Sequence, residues 1–390
     1  MAKTKRKYDF LIFGAGGMQG KIVIKDLLKK KYRLFISDIY QNHIDALQEE
    51  FDLPDHEILD LRKKRKIYSL IKKADPFCVI NCAEADWNVD VYKACLKNGS
   101  HVIDLGSDDG VMTETQLKMD ADFRKKKLIA ITGCGSTPGV NNIMLDYAVG
   151  LLDSVHTVEA GFAWNSNIKE FVVPFSMPSI AEEFTDNVTY LKNNKWLKKL
   201  PLDTVKGKRY QEIGRNKCFL VRHPEPFTFH YYYKDKGLKN IKFYAGFPSH
   251  SFSTIHNFIK LGLASKEKIK INGCEIQPMN FLAETLRRGA KMPEGYEEKE
   301  VLWVDVIGKK ANERKEIFME CIAGTLPGWE FAGCNVDTGI PASIIAQMII
   351  KKRIKAWGSF APEAVVPHEE FFKALRDKDM DVYMNGRLIN

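Results

Sequence analysis

The chain has 390 residues, 45% hydrophobic and 28% charged, which suits two folded domains and excludes an extensively disordered protein. No apolar run approaches the roughly 18 to 20 residues needed to span a bilayer. The basic opening Met1–Lys7 leads only into the short apolar run Tyr8–Phe13, so no secretory leader is read and a cytoplasmic protein away from membranes is expected.

The first third alternates strand and helix signals. Strands are predicted at Tyr8–Phe13, Arg33–Asp38, Glu57–Leu61, Phe77–Cys82, His101–Leu105 and Leu128–Thr132. Helices fall between them over Gly17–Lys30, Gln41–Glu50, Lys66–Lys73, Asn88–Asn98 and Thr113–Lys126. That order is the signature of a doubly wound parallel sheet. Beyond Asn142 the character changes. A helix over Ile143–Leu152 is followed by strands Val155–Ala163, Cys218–Arg222, Ile241–Ala245, Val301–Ile307 and Glu316–Ile322, with a hairpin turn within Gly308–Lys315. With helices near Ser249–Leu261 and Pro278–Gly289, this predicts a mostly antiparallel α+β domain. The tail turns helical again: Thr338 and Gly339 suit a cap, Pro341 a first turn, and Ile340, Ile344, Ile345, Met348 and Ile349 form an apolar stripe. This helix is expected to pack back on the first domain.

The net charge of +9 invites a nucleic-acid reading. The basic clusters Lys29–Lys31, Arg62–Lys66, Arg124–Lys127 and Lys351–Arg353 are scattered, however, and sit on or at the ends of predicted helices. They read as solvated faces, and no nucleic-acid partner is expected. The eight cysteines contain no C-x-x-C pair, so no zinc site is read and the thiols are expected to be reduced and mostly buried.

Chemistry concentrates at the first strand–helix junction. Gly14-Ala15-Gly16-Gly17-Met18-Gln19-Gly20 follows a strand and opens a helix, where glycines let the backbone turn and approach a pyrophosphate while the helix N-terminus offers N–H groups. The spacing is G-x-G-x-x-x-G, with Gln19 at the usual place of the third glycine. Asp38 ends the second strand, placed to accept the adenosine ribose hydroxyls and to repel a 2′-phosphate; Ile39-Tyr40-Gln41 supplies no arginine to neutralise one. NAD is therefore favoured, with NADP kept as the alternative.

Val79-Ile80-Asn81-Cys82-Ala83, His101-Val102-Ile103-Asp104-Leu105-Gly106 and Gly133-Cys134-Gly135-Ser136-Thr137-Pro138-Gly139-Val140-Asn141-Asn142 stand at the ends of three strands. With the glycine loop, Ile271-Asn272-Gly273-Cys274, Thr338 to Ile350 and Gly358-Ser359-Phe360-Ala361-Pro362-Glu363, they resemble the saccharopine dehydrogenase-like superfamily, and within it lysine 6-dehydrogenase and its relatives. The likeness implies a Rossmann-type domain (1–142) completed by 333–390, with an inserted substrate and dimerisation domain (143–332), hence a homodimer. It also implies oxidation of a CH–NH unit of an amino acid, lysine or saccharopine, through an imine that water opens. A carboxynorspermidine dehydrogenase-type imine reductase is the alternative activity, and a non-catalytic NAD(P) sensor the alternative class. A sugar-type dehydrogenase is disfavoured, because Glu84-Ala85-Asp86 stands where that group carries Glu-Lys-Pro.

Site expectations follow. Gly14, Gly16, Gly17, Met18, Gln19 and Asp38 should hold the coenzyme's phosphates and adenosine; Asn81, Cys82, Ala83, Gly106 and Pro138 should border its nicotinamide half. Arg222, Asn141 and Trp164 are candidates for the substrate, with Tyr231–Tyr233 as further lining. His223 is the candidate base, with His250 and His256 as alternatives, and Asp104 a candidate either for catalysis or for ordering the site.

Overall fold

In the computed structural model, residues 5–52, 55–107, 110–173, 176–289 and 293–390 are described; the first residues of the basic opening stretch lie outside them. Strands β1 (Tyr8–Phe13), β2 (Leu34–Asp38), β3 (Asp55–Ile58), β4 (Pro76–Asn81), β5 (His101–Asp104) and β6 (Ile129–Ile131) form a parallel sheet in the order β3-β2-β1-β4-β5-β6. Helices α1 (Met18–Lys29), α2 (Gln41–Glu50), α3 (Lys64–Ala74), α4 (Asn88–Asn98), α5 (Gly110–Leu117) and α6 (Asp120–Lys125) connect them. Every β1 residue is buried, as a strand covered on both faces requires. Phe10 and Ile12 join the core under α1 and α2, while Leu11 and Phe13 join a second core with Ile67, Leu70 and Ile71 of α3. The doubly wound Rossmann-type sheet expected from the sequence is present. The single helix expected over Thr113–Lys126 is two, broken at Lys118 and Met119.

Helix α7 (Val140–Gly150) leads into the second sheet. Its strands are β7 (Ser154–Ser166), β8 (Val188–Lys192), β9 (Lys195–Lys199), β10 (Lys206–Tyr210), β11 (Gly214–Leu220), β12 (Asn240–Phe247), β15 (Glu298–Lys310) and β16 (Glu313–Gly324); β13 (Ile269–Ile271) and β14 (Cys274–Ile276) form a separate hairpin. Helices α8 (Met177–Thr185), α9 (Glu225–Tyr233), α10 (Ser249–Lys260) and α11 (Pro278–Gly289) accompany them. The sheet is mixed, because the long path through α8–β11 brings β12 alongside β7 in parallel. The β15–β16 turn is confined to Ala311 and Asn312, whose φ values of 49° and 64° are those of the two-residue turn that matches strand twist. Gly308 therefore lies within the strand, pressed on the Ser154 carbonyl.

Helix α12 (Val336–Ile350) then returns to the first domain, with 14 of its 15 residues buried. It begins at Val336, two residues before the expected cap. Gly339 instead provides close packing: a Cβ there would lie 2.5 Å from Ile22 Cγ2 of α1. Pro341 falls beyond the first turn. Asp26 of α1, fully buried, accepts hydrogen bonds from Ser343 (2.7 Å) and Gln347 (3.1 Å) of α12 and pairs with Lys378, so the two helices are joined by a satisfied polar network as well as by apolar burial. Strand β17 (Gly358–Phe360) adds a seventh parallel strand beside β6. After α13 (His368–Arg376), however, β18 (Asp381–Met384) and β19 (Arg387–Leu388) extend the second sheet from β16. The C-terminal segment thus serves both sheets. Among the described residues no helix is long and apolar enough to cross a membrane. All eight cysteines are free, and only Cys274 is exposed.

Candidate active site

The glycine loop is shaped by contacts that exclude side chains. Gly14 has φ +68°, and a Cβ there would sit 2.6 Å from the Ala83 backbone nitrogen; one on Gly20 would sit 2.2 Å from the Gly14 carbonyl oxygen. The third glycine is therefore displaced by one position because Gly20, not residue 19, is where α1 meets its own loop. The Gln19 side-chain Oε1 is buried without a hydrogen-bond donor. Helix α1 has no side-chain cap and no acidic residue in its first turn, which leaves its positive end to an anion. Asp38 is buried, accepting from Gly16 N (2.9 Å) and Tyr40 N (3.1 Å) and touching His43 Nδ1 at 3.0 Å. These residues fit a dinucleotide: a cradle that no Cβ can fill, an uncapped helix end, and a carboxylate at the end of β2.

The neighbouring strand ends are braced by Asp104. Its carboxylate is fully buried and takes Gly106 N (2.6 Å), Gln116 Nε2 (2.7 Å), Thr132 Oγ1 (3.1 Å) and Gly133 N (3.1 Å). Burial raises its pKa against these bonds. Its oxygens are thus engaged by Gly106, Gln116, Thr132 and Gly133, an arrangement that braces the ends of β5 and β6. Pro138 wedges between Gly106 and Gly133; a Cβ on either would come within 2.6 Å of its Cγ. Asn81 donates to Asn88 (2.7 Å), which in turn reaches the Gly106 carbonyl (3.3 Å). Cys82 and Ala83 follow at the same edge, and burial pushes the Cys82 thiol up to about 12, so it stays a thiol.

Two cavities meet at His223. The smaller, about 240 Å³, has Gln19, Ser136, Thr137, Asp337 and Thr338 on the nucleotide side and Phe162, Trp164, Glu183, His223 and Glu300 on the other. The larger, about 710 Å³, lies between α5 and the β8–β9 hairpin; it takes in Asp186, Trp196, Lys198, Arg222, His223 and Phe227. His223 is nearly buried, contacts Glu225 through Nδ1 at 3.0 Å, and stacks on Phe243 at 4.3 Å. Arg222 borders the larger cavity, 3.6 Å from Asp186, so a substrate carboxylate would have to replace that partner.

Other expected residues are placed differently. Asn141 faces neither cavity; its amide holds the Gly161 carbonyl at 3.0 Å and ties α7 to β7. Tyr232 accepts from Ala361 N and Tyr233 donates to Asp146 of α7, bracing α9 against the C-terminal segment and α7, and Tyr231 is exposed. His250 and His256 lie on α10 outside both cavities. The acidic wall was not foreseen. Burial first, and the neighbouring Glu300 second, raise Asp337 far above the carboxylate range; burial raises Glu300 to about 7.

A dinucleotide cradle joined to a mixed-polarity cavity under a second sheet defines an NAD(P)-dependent dehydrogenase. Residues 10–131 match the saccharopine dehydrogenase NADP binding domain and residues 135–380 the saccharopine dehydrogenase C-terminal domain; the chain belongs to the saccharopine dehydrogenase family. Carboxyaminopropylagmatine dehydrogenase of Synechocystis sp. is 23% identical over 299 residues, covering 74% of this chain and 75% of that protein. The apo saccharopine dehydrogenase (L-Glu forming) of Saccharomyces cerevisiae shares the fold, with a TM-score of 0.74 at 11% identity over 97% of this chain and 99% of that one.

Proposed function

We propose that the protein transfers hydride between a nicotinamide coenzyme and the CH–NH unit of an amino acid, most simply lysine at its 6-position or a carboxylated polyamine. One observation carries this reading. The cavity that touches the glycine-loop residue Gln19 also holds His223 and a wall of three carboxyl side chains, Glu183, Glu300 and Asp337. Such a wall can exchange a shared proton for a nitrogen cation. Lysine, saccharopine and carboxylated polyamines all keep a nitrogen cation besides the reacting one; saccharopine alone adds two further carboxylates to that of lysine, and it is these that the wall disfavours. In oxidation, His223 would take the proton of the reacting amine, since an ammonium has no lone pair to support hydride departure. The carbon bearing nitrogen then loses hydride, and water opens the resulting imine. Carboxyaminopropylagmatine dehydrogenase, as its name states, acts on a carboxylated guanidino-amine, which suits the same wall. The test is a panel of lysine, saccharopine, carboxynorspermidine and carboxyaminopropylagmatine with each coenzyme, followed by reduced-nicotinamide absorbance. Tight coenzyme binding without turnover of any of them would replace this reading with that of a sensor.

Coenzyme choice gives a separate expectation. Asp38 should make kcat/KM with NAD exceed that with NADP by at least about tenfold, equivalent to about 1.4 kcal/mol. Asp38→Ala should narrow the ratio while weakening both coenzymes, because Gly16 N loses its 2.9 Å acceptor. Equal use of both coenzymes by the wild type would overturn the Asp38 argument.

A further inference from the structure

The wall of the smaller cavity contains two buried polar atoms whose pairing is unfinished. Asp337 is 1% exposed and its Oδ2 has no hydrogen-bond donor; Trp164 is 1% exposed and its indole N–H has no acceptor. Both line the same cavity. A buried acceptor left open is costly, more so when charged, and this one borders a space large enough for a ligand group. The Asp337 carboxyl also stands beside that of Glu300, from β15, with Glu298, Glu183 and Cys334 as further neighbours and His223 across the cavity. Two carboxyls side by side share a proton when empty, and a nitrogen cation placed between them takes over the proton's role.

We propose that Asp337, together with Glu300, seats a cationic nitrogen at the non-reacting end of the substrate. This rests on the amine-dehydrogenase reading above and specifies which end of the substrate lies where. The reacting nitrogen must lose its proton to release hydride, and paired carboxylates would hold that proton in place. They therefore suit a nitrogen that stays charged throughout, an ammonium or guanidinium, while the reacting CH–NH unit lies by His223, where the two cavities meet. The substrate lies across the His223 wall with its permanent cation pointing toward α12.

The experiment compares lysine with 6-aminohexanoate, which keeps the reacting amine and the carboxylate but lacks the second ammonium. Wild type, Asp337→Asn and Glu300→Gln are each assayed, and binding of 1,5-diaminopentane to the NADH complex is measured by calorimetry. Losing one charge-assisted hydrogen bond is worth about 10- to 100-fold. Wild type is expected to prefer lysine by at least that factor in kcat/KM. Asp337→Asn should raise the lysine KM about 10- to 100-fold, leave 6-aminohexanoate kinetics and NADH affinity unchanged, and weaken diaminopentane binding to the same degree. The near-isosteric amide can still donate to Glu300 as the shared proton does, so folding is expected to survive, and Glu300→Gln reports on the same seat from another element. Wild-type turnover of lysine with undiminished discrimination in both variants would overturn the seat and leave the dehydrogenase reading standing. Absence of turnover for every amine would remove the dehydrogenase reading. Diaminopentane binding equally to wild type and Asp337→Asn, or to neither, would overturn the seat whatever the turnover.

Discussion

His223→Gln is expected to reduce amine oxidation by about 10²- to 10⁴-fold, the usual worth of a positioned general base, with NADH affinity within about twofold of wild type. The expectation comes from position. His223 is the residue common to both cavities, and its orientation is set on two sides, by the 3.0 Å contact with Glu225 and by the Phe243 ring 4.3 Å away at 13°. Glu225 is fully buried and fixes which ring nitrogen carries the proton, so the other can exchange one with substrate. Glutamine keeps hydrogen-bonding capacity but cannot act as a base near neutral pH. The loss should therefore appear in kcat more than in KM, and the rate–pH profile should lose the limb contributed by the imidazole. Glu225→Gln acts through His223 as a positioning change, and a smaller fall in kcat with a displaced profile is expected. Turnover by His223→Gln within a fewfold of wild type, with its pH profile unchanged, would show that the proton goes elsewhere.

The nucleotide half was legible because its signals are local. A glycine triplet between an apolar strand and a helix, an aspartate at the next strand end, and alternating periodicities identify a Rossmann unit without knowledge of distant contacts. The C-terminal helix was legible through the Ile340–Ile349 stripe, while its place in the nucleotide domain rested partly on the family resemblance. The acidic wall was not. Glu183, Glu300 and Asp337 come from α8, β15 and α12, and each has an ordinary local meaning. Asp337 reads as an acid in a helix's first turn, where the dipole favours it, and Glu300 as one polar position near the start of a strand. Only the packing of α12 beneath the second sheet turns them into neighbours. Asp104 shows where local signals leave two readings open. A carboxylate at the carboxyl end of a parallel strand has the address of a catalytic group, yet four donors, from α5 and from the segments after β5 and β6, engage it, an arrangement that spacing does not encode.

Gly14→Val should be severely damaging, costing about 3–5 kcal/mol of stability and abolishing measurable coenzyme binding in whatever protein remains folded. Two penalties combine. A left-handed backbone costs a β-branched residue at least about 1–2 kcal/mol, and at φ +68° the new Cβ would lie 2.6 Å from Ala83 N and 2.7 Å from the Cys82 carbonyl carbon. Those atoms are backbone, at the end of β4, and β4 is held in register with β1 through Phe13 and Asn81. The clash cannot be relieved by a rotamer change; it must separate the two central strands or lift the loop from them. Gly17→Ala is the matched control. Gly17 has an ordinary φ of −70°, and its Cβ would meet nothing nearer than the Gly14 carbonyl at 3.4 Å, so the cost is under about 1 kcal/mol. Thermal unfolding and coenzyme calorimetry on the pair separate loop geometry from general sensitivity to added bulk. A Gly14→Val protein that unfolds with wild type and binds coenzyme normally would mean that the β1–α1 turn does not lie against β4, and the cradle argument would fail with it.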